Sequence, residues 1–323
     1  MDFDAQTMLV GAVSGIATIV LCLGVATGSS LALLLFVFSP LPIMVAGLGW
    51  GASAGVVGLL ISSVGVAIIA NPETAGFVLL TTSLPSAMAA LWLTLARPAS
   101  EMGGPNDKVA WFPLSQIIFR LAVMTAVAFI AAGLIAGYGR DFAVLIADQM
   151  VERLQEQNAE FGFSPDAREA FVQNILVAVP LLQPAFWLFL LVMNLYIAIW
   201  LSKQSGRLAR PQDLWPLAMR MPRNALFALA GAVLLTFVGG NIALAASCLI
   251  GALLAGFTLS GYAVFHHRTV GQPWRPLAMI IAYGSTVIFL FPALFFTGVG
   301  LFNPANNMPV SPSGGSGTPP PIT

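Results

Sequence analysis

Residues 176–202 read LVAVPLLQPAFWLFLLVMNLYIAIWLS and contain no Asp, Glu, Lys, Arg or His. About 20 apolar residues in a helix cross the roughly 30 Å hydrocarbon core of a bilayer. A helix is suited to lipid because it satisfies its own backbone hydrogen bonds. The segment therefore predicts a membrane-spanning helix.

The rest of the chain has the same character, with 58% hydrophobic and only 8% charged residues. Soluble domains carry about 25% charged residues, so a water-soluble globule is excluded. We predict an all-α, polytopic transmembrane helical bundle of about eight to nine spans. Nine candidate spans are 7–27, 30–49, 52–71, 75–96, 114–138, 176–202, 224–240, 241–265 and 276–300.

Two regions of the bundle contain helix-breaking residues. SPLP at 39–42 and GLGWG at 47–51 could divide the second span into a half-helix or a re-entrant segment. GGN at 239–241 predicts a tight turn between the seventh and eighth spans. The span count in 30–71 and 224–265 depends on these points.

Basic residues in short loops predict the orientation. The regions after the fourth, sixth and eighth spans hold 10 of the 13 Lys and Arg residues, so this side should be cytoplasmic. The N-terminus is then cytoplasmic and the C-terminus outside. The first span follows no basic segment and is predicted to be retained rather than cleaved as a signal peptide.

Residues 139–175 form an acidic, extracytoplasmic insertion in the transmembrane domain, which covers 1–302. Apolar residues recur there at three- and four-residue spacing, which predicts an amphipathic helix that either packs on the outer face or acts as a gating lid; they are Phe142, Leu145, Ile146, Met150 and Leu154. Ser164-Pro165-Asp166 predicts the start of the next helix. The Pro/Gly/Ser-rich tail, 303–323, is predicted to be disordered.

No Asp, Glu, Lys or His lies in the middle of a predicted span. Intramembrane ionisable groups are typical of proton relays and membrane catalysis, so we expect no enzyme, no cofactor and no metal site. Net charge is zero and no basic domain exists, which argues against nucleic-acid binding. GASAG at 51–55 matches a serine-nucleophile motif, but it lacks a nearby histidine in sequence.

Uncharged polar residues within the spans have two interpretations. They could join helices by hydrogen bonds, or line a cavity for a small solute; the candidates are Thr81, Thr82, Ser83, Ser86, Gln183 and Asn194. Arg120 could extend to the interface or contact an anionic ligand or lipid. The triplet His266-His267-Arg268 could contact phosphate or a lipid headgroup, or belong to an ordinary basic loop.

Small residues four apart allow two membrane helices to approach closely. Gly11 and Gly15 form such a pair in the first span, and Gly51 and Gly55 form another at the start of the third. Both pairs are candidates for helix packing or for contact with a partner.

Several motifs together resemble the YybS-like family of uncharacterised bacterial membrane proteins. They are SLALLL at 30–35, SPLPI at 39–43, AGLGWG at 46–51, MPR at 221–223 and GQPWRP at 271–276. That family is similar in fold to the S components of energy-coupling factor transporters, which bind small solutes and dock on a coupling transmembrane subunit with ATPases.

The resemblance implies a location in the bacterial cytoplasmic (inner) membrane and an S-component-like bundle with an outward-facing solute site. It also implies docking through the Gly11 and Gly15 face, with energy supplied by the partner. The first hypothesis for the function is therefore a transport-related component that binds a small solute and relies on a partner for energy. The alternative is a non-transporting membrane scaffold or assembly factor of the cell envelope. A transporter predicts a polar cavity near Thr81–Ser86, whereas a scaffold predicts a filled core.

Overall fold

A computed structural model describes residues 4–102, 105, 108–137, 139–157, 164–211 and 213–305. The described chain is almost entirely α-helical. Its helices are α1 (Ala5–Leu23), α2 (Ser30–Phe36), α3 (Leu41–Trp50), α4 (Ala52–Ile69), α5 (Pro72–Val78), α6 (Leu84–Thr94), α7 (Leu114–Ala136), α8 (Arg140–Gln157), α9 (Pro165–Gln204), α10 (Trp215–Ala218), α11 (Arg223–Thr236), α12 (Gly240–Arg268), α13 (Arg275–Phe289) and α14 (Phe291–Leu301).

Within the described residues, seven helical segments are long and apolar enough to cross a membrane, or eight if a bent pair counts as one span. The seven are Ala5–Thr27, Ser30–Trp50, Ala52–Ile69, Pro72–Thr94, Leu114–Ile135, Pro165–Gln204 and Gly240–Arg268. The chain is therefore an all-α bundle with the character of a multi-pass integral membrane protein, which confirms the predicted fold class.

The described residues contain seven or eight candidate spans, and eight lies within the predicted range of about eight to nine. Two of the nine predicted segments differ from the observed helices. The seventh predicted span, 224–240, contains α11, whose 14 residues extend only about 21 Å, short of the bilayer core. The ninth, 276–300, is divided into α13 and α14, whose axes bend by 119°. The bend lies at Leu290, which adopts a positive φ of 54°, a costly conformation for a residue with a branched side chain.

Both predicted interruptions are present. The second span is broken between α2 and α3 by turns at residues 37–40, and α11 joins α12 through Gly239 and Gly240, both with positive φ. The predicted start of the sixth span is also confirmed, because the Ser164 side chain caps α9 by accepting from the Ala167 N–H at 3.3 Å. The helix then continues through Pro180 and Pro184.

Two long helices, α9 and α12, lie at the centre of the core. α12 packs against α7, α9, α11 and α14, and it comes close to α9 at Gly251, where the Leu181 carbonyl lies against the glycine. A short antiparallel hairpin, β1 (Ala96–Pro98) with β2 (Val109–Trp111), connects α6 to α7. The sequence did not indicate this hairpin.

The predicted amphipathic helix in the insertion is α8, which packs against the first turns of α9. Its buried face is formed by Ala143 and Ala147, which contact Val172 and Ile175. Two ion pairs join the helices, Arg140 with Glu169 at 2.6 Å and Arg168 with Asp148 at 2.5 Å. The first turns of α9 therefore form the last part of the predicted insertion, 139–175.

The described chain ends beside the start of α11. The Ala305 N–H donates to the Met221 carbonyl at 2.8 Å, and Pro222 pairs with Ala305 in a parallel bridge. The first residues of the predicted tail, 303–305, therefore lie against the bundle. Residues 306–323 of that tail lie outside the described residues.

Candidate functional site

The polar cluster of the fourth span surrounds a local change of helix type. Between α5 and α6, residues 79–83 form a π-helical turn in which the Leu84 N–H bonds to the Leu79 carbonyl. Such turns are rare and occur frequently at functional sites. Thr81, Thr82 and Ser83 lie in this turn and are each 1% exposed or less.

Proline chemistry explains why the turn needs an external hydrogen-bond donor. In an α-helix the Thr81 carbonyl would accept from the N–H of residue 85, but Pro85 has none. The indole Nε1–H of Trp187 on α9 donates to this carbonyl instead, at 2.6 Å. A side chain from another span therefore completes the interrupted helix.

Hydroxyl groups in the cluster are also used in helix packing. The Ser83 and Ser62 hydroxyls bond at 2.8 Å and join the π turn to α4. Ser86 donates to the Thr82 carbonyl at 2.6 Å, and Thr81 donates to the Phe77 carbonyl at 2.7 Å. The bond between Ser62 and Ser83 is of the kind that holds helices together in lipid, whereas the other two lie within one span and satisfy the hydroxyl groups locally.

The break between α2 and α3 is completed in the same way. The Leu41 N–H, which would reach the Val37 carbonyl in a continuous helix, bonds to Phe38 instead. The Asn194 side chain on α9 donates to the Val37 carbonyl at 2.8 Å. The Ser39 carbonyl accepts from Thr18 of α1 at 3.2 Å.

Trp187 and Asn194 are seven residues apart on α9 and therefore lie on one helix face. This face contacts both interrupted spans. Aromatic rings fill the space around Trp187, with centroid distances of 5.5 Å to Phe36, 6.3 Å to Phe77 and 6.0 Å to Phe129. We call Trp187 and Asn194, together with these three aromatic rings, the π turn and Ser62, the α9 junction.

Several buried polar atoms among the described residues have no hydrogen-bond partner. They include Oδ1 of Asn194 and Oγ1 of Thr125, and both residues are fully buried. Reversing the Asn194 amide would aim its oxygen at two carbonyls, since its nitrogen also donates to Leu190 at 2.8 Å. The observed orientation is therefore the favourable one.

Two of the predicted solute-site residues lie away from the α9 junction. Gln183 is on an exposed part of α9. Arg120 is also exposed, and its guanidinium stacks over Phe112 at 4.5 Å and Trp92 at 5.3 Å. These contacts are cation–π interactions of an arginine that extends to the bundle surface.

The predicted glycine faces are used for contacts within the chain. A Cβ at Gly11 would lie 2.7 Å from the Ala54 carbonyl oxygen, and one at Gly15 would lie 2.8 Å from that of Gly58. These positions allow α1 and α4 to pack closely, so α4 covers the face that was predicted to dock a partner. Gly51 forms the α3–α4 turn with φ 91°, and Gly55 lies near Gly47 on α3.

The sequence interpretation did not identify Thr18 or Ser62, both fully buried. A usable signal was present, because each proline within a span leaves a carbonyl without its usual donor. Searching other spans for a donor to the Thr81 carbonyl would have included Trp187, but it would not have found Ser62, which bonds the Ser83 hydroxyl. It would not have identified which donor pairs with which carbonyl.

We expect Trp187→Phe to lower the free energy of unfolding by about 1–3 kcal/mol, because the buried Thr81 carbonyl loses its donor. Unfolding in mixed detergent micelles measures the change. Trp200→Phe is the matched control, since Trp200 lies on the same helix but is exposed, and its effect should stay within about 0.5 kcal/mol. Equal effects of the two substitutions would show that the hydrogen bond adds nothing.

The α9 junction is a packed set of uncharged side chains. Its hydrogen-bond donors bond to backbone carbonyls at the interruptions of the two spans. A crevice of about 180 Å³ lies between α7 and α12 and is lined by Gly133, Gly137, Asn241 and Cys248 among others. Comparison of the chain with protein-family models, with curated proteins and with solved structures finds no match.

Proposed function

We propose that the chain is a non-transporting membrane scaffold or assembly factor that acts by binding other proteins of the cell envelope. The observation that carries this proposal is the use of the polar residues. Thr81, Ser83, Ser86 and Asn194 are buried. Ser83 and Asn194 bond to other spans, and Thr81 and Ser86 bond to carbonyls of their own span. A solute site needs polar groups directed into a cavity.

The surface best suited to a partner is on α8. Met150 and Leu154 continue the stripe of Ala143 and Ala147 along the helix, but they remain 45% and 37% exposed. Glu152 and Glu156 flank them and are exposed. A partner with an apolar strip bordered by basic side chains would complement this surface, and α8 belongs to no candidate span.

Affinity purification in mild detergent, followed by mass spectrometry, tests the proposal. We expect envelope proteins to be recovered with the wild type and lost with Met150→Asp/Leu154→Asp. Leu145→Asp is the control, because Leu145 is 54% exposed on another side of α8. Recovery of the same proteins with both variants, or recovery of ATPases and a coupling subunit, would contradict the scaffold function.

A transport function is the second candidate, supported by the interrupted helices. The breaks at 37–40 and Leu290 and the π turn at 79–83 are features that transporters place at binding sites. In this proposal the chain is S-component-like and related to the YybS-like family. It binds a small solute and depends on a coupling transmembrane subunit with ATPases.

We place the protein in the bacterial cytoplasmic (inner) membrane, with its basic loops and N-terminus in the cytoplasm and α8 outside. The basic residues at 203–223 support this orientation. Because Ala305 pairs with Pro222, we place residue 305 on the cytoplasmic side. The sequence predicts an external C-terminus because it counts 276–300 as one crossing.

A further inference from the structure

Arg120 is an exposed arginine within a candidate membrane span. It lies on α7, six residues after Leu114, where both the helix and the span begin. A helix rises about 1.5 Å per residue, so the Arg120 Cα lies about 9 Å into the span. An arginine at this depth needs either a counter-charge or a route to the membrane surface.

Two aromatic rings hold the Arg120 guanidinium at the end of the span. Its Cζ lies 4.5 Å from the centroid of the Phe112 ring and 5.3 Å from that of Trp92. Phe112 precedes α7, and Trp92 lies in the last turn of α6. The side chain therefore runs back along α7 to the level where the helix begins, which in a bilayer is the level of the lipid headgroups.

The backbone that carries the Phe112 ring is fixed by the loop that follows α9. Arg210 in this loop is 5% exposed, and its Nη1 donates to the Phe112 carbonyl at 2.6 Å. Arg210 also forms an ion pair of 2.8 Å with Asp213. The charge of Arg210 is thus balanced within the chain, while its bond to Phe112 holds in place the ring on which Arg120 stacks.

The charge of Arg120 is not balanced in this way within the described chain. None of the ion pairs among the described residues includes Arg120, and the first turn of α7 contains no acidic residue. Stacking uses the flat faces of the guanidinium, whereas its N–H donors point outward in the plane of the group. The positive end of the α7 dipole adds to the positive potential there. This surface therefore favours an anion supplied from outside.

An apolar stripe on α7 continues from Arg120 into the membrane. Arg120, Val127 and Leu134 are spaced seven residues apart, so they lie on one face of the helix. Val127 is 56% exposed and Leu134 is 70% exposed. A free anion would use only the cation, whereas a phospholipid matches both the cation and the apolar stripe beside it.

We propose that Arg120 binds the phosphate of an anionic phospholipid, whose acyl chains lie along the stripe that begins at Val127. The stacked guanidinium donates two parallel hydrogen bonds to the phosphate oxygens. A zwitterionic headgroup carries a cation beside its phosphate, which Arg120 repels, so the site prefers a lipid with net negative charge. The site is compatible with either function proposed above, because it concerns the lipid contact alone.

Photo-crosslinking of the purified full chain in mixed micelles tests the site. The probe is a phosphatidylglycerol with a diazirine at the start of one acyl chain, and peptide mapping locates the crosslinks, which we expect within residues 112–127. Unlabelled phosphatidylglycerol should compete strongly and phosphatidylcholine with the same acyl chains weakly. Millimolar inorganic phosphate should not compete, since it lacks the acyl chains.

Each basic residue near an anionic membrane surface contributes a factor of about five, so Arg120→Gln should lower crosslinking at subsaturating probe about fivefold. Arg223→Gln is the matched control, because Arg223 is an exposed arginine at the start of α11 on the same predicted side. It should keep the wild-type yield. Equal losses in the two variants, equal competition by the two lipids, or displacement by inorganic phosphate would each overturn the proposal.

Phe112→Leu tests the stacked geometry separately from the charge. This variant keeps Arg120 and the backbone carbonyl that Arg210 holds, but it removes one of the two rings. A cation–π contact at an exposed site corresponds to a factor of about two to five, so crosslinking should fall by that factor. A wild-type yield in Phe112→Leu would contradict a positioned guanidinium, and this variant decides the matter if Arg120→Gln does not fold.

Discussion

Replacing Gly251 with alanine is expected to destabilise the protein by about 3 kcal/mol, as overpacking of a close contact does. A Cβ at this position would overlap the Leu181 carbonyl on α9. That oxygen belongs to a helix backbone and cannot rotate away as a side chain could. The helices α9 and α12 must then separate along the main interface of the core.

Gly231→Ala is the control for this substitution. Gly231 lies within α11, and among the described residues only open space surrounds its expected Cβ. Alanine is favoured over glycine within a helix by about 1 kcal/mol, so this variant should be as stable as the wild type or more so. Unfolding in mixed micelles compares the two. An unchanged stability for Gly251→Ala would show that α9 and α12 do not approach as described.

Replacing Asn194 with aspartate is expected to have a comparable or larger effect, about 3–5 kcal/mol for an unpaired buried charge. The amide nitrogen that donates to the Val37 and Leu190 carbonyls becomes a carboxylate oxygen, which cannot donate when ionised. Because Asn194 is 0% exposed, water cannot compensate. We expect little folded protein to be recovered from membranes at neutral pH.

Asn303→Asp provides the matched comparison. The Asn303 side chain also donates to a carbonyl one helical turn earlier, that of Val299 at 2.8 Å, but this residue is only partly buried. Its substitution should leave the yield near that of the wild type. Similar yields for both aspartate variants, measured by size-exclusion chromatography in detergent, would contradict the role of Asn194.

Hydrophobic pattern predicted most of the fold because span length and the absence of charge are local properties of sequence. The hydrophobic pattern wrongly predicted one continuous span at 276–300, because apolar residues continue without interruption through the bend at Leu290. Pro292 follows that bend, but a proline alone does not identify a break. Pro180 and Pro184 lie within the continuous helix α9, so tertiary contacts decide the outcome.

The candidate site was predictable in composition but not in arrangement. Sequence identified Thr81, Ser86 and Asn194 as buried polar residues, and left open whether they join helices or line a cavity. Pro85 and the SPLP segment at 39–42 indicate that some carbonyls lack donors. Only the packing of α9 shows that Trp187 and Asn194 supply those donors.

The same limit applies to α8. Its period of apolar residues correctly predicted an amphipathic helix, but the face that packs on α9 is centred on Ala143 and Ala147. Alanines allow the two helices to approach closely, and Leu145 remains exposed because it lies on another side of α8. Periodicity predicts that a helix has an apolar side, whereas the partner helix determines which part of it is covered.

Thiol labelling of a Ser86→Cys variant tests most directly whether the interior of the bundle is closed to water. The background is Cys22→Ala/Cys248→Ala, which removes both native thiols, and the reagent is a membrane-impermeant maleimide applied to sealed vesicles of each orientation. Leu145→Cys and Ser205→Cys, on opposite sides of the membrane in our orientation, are the positive controls. We predict that Ser86→Cys is labelled only after denaturation. Labelling in intact vesicles of either orientation would reveal a water-filled path to the α9 junction and contradict the scaffold function.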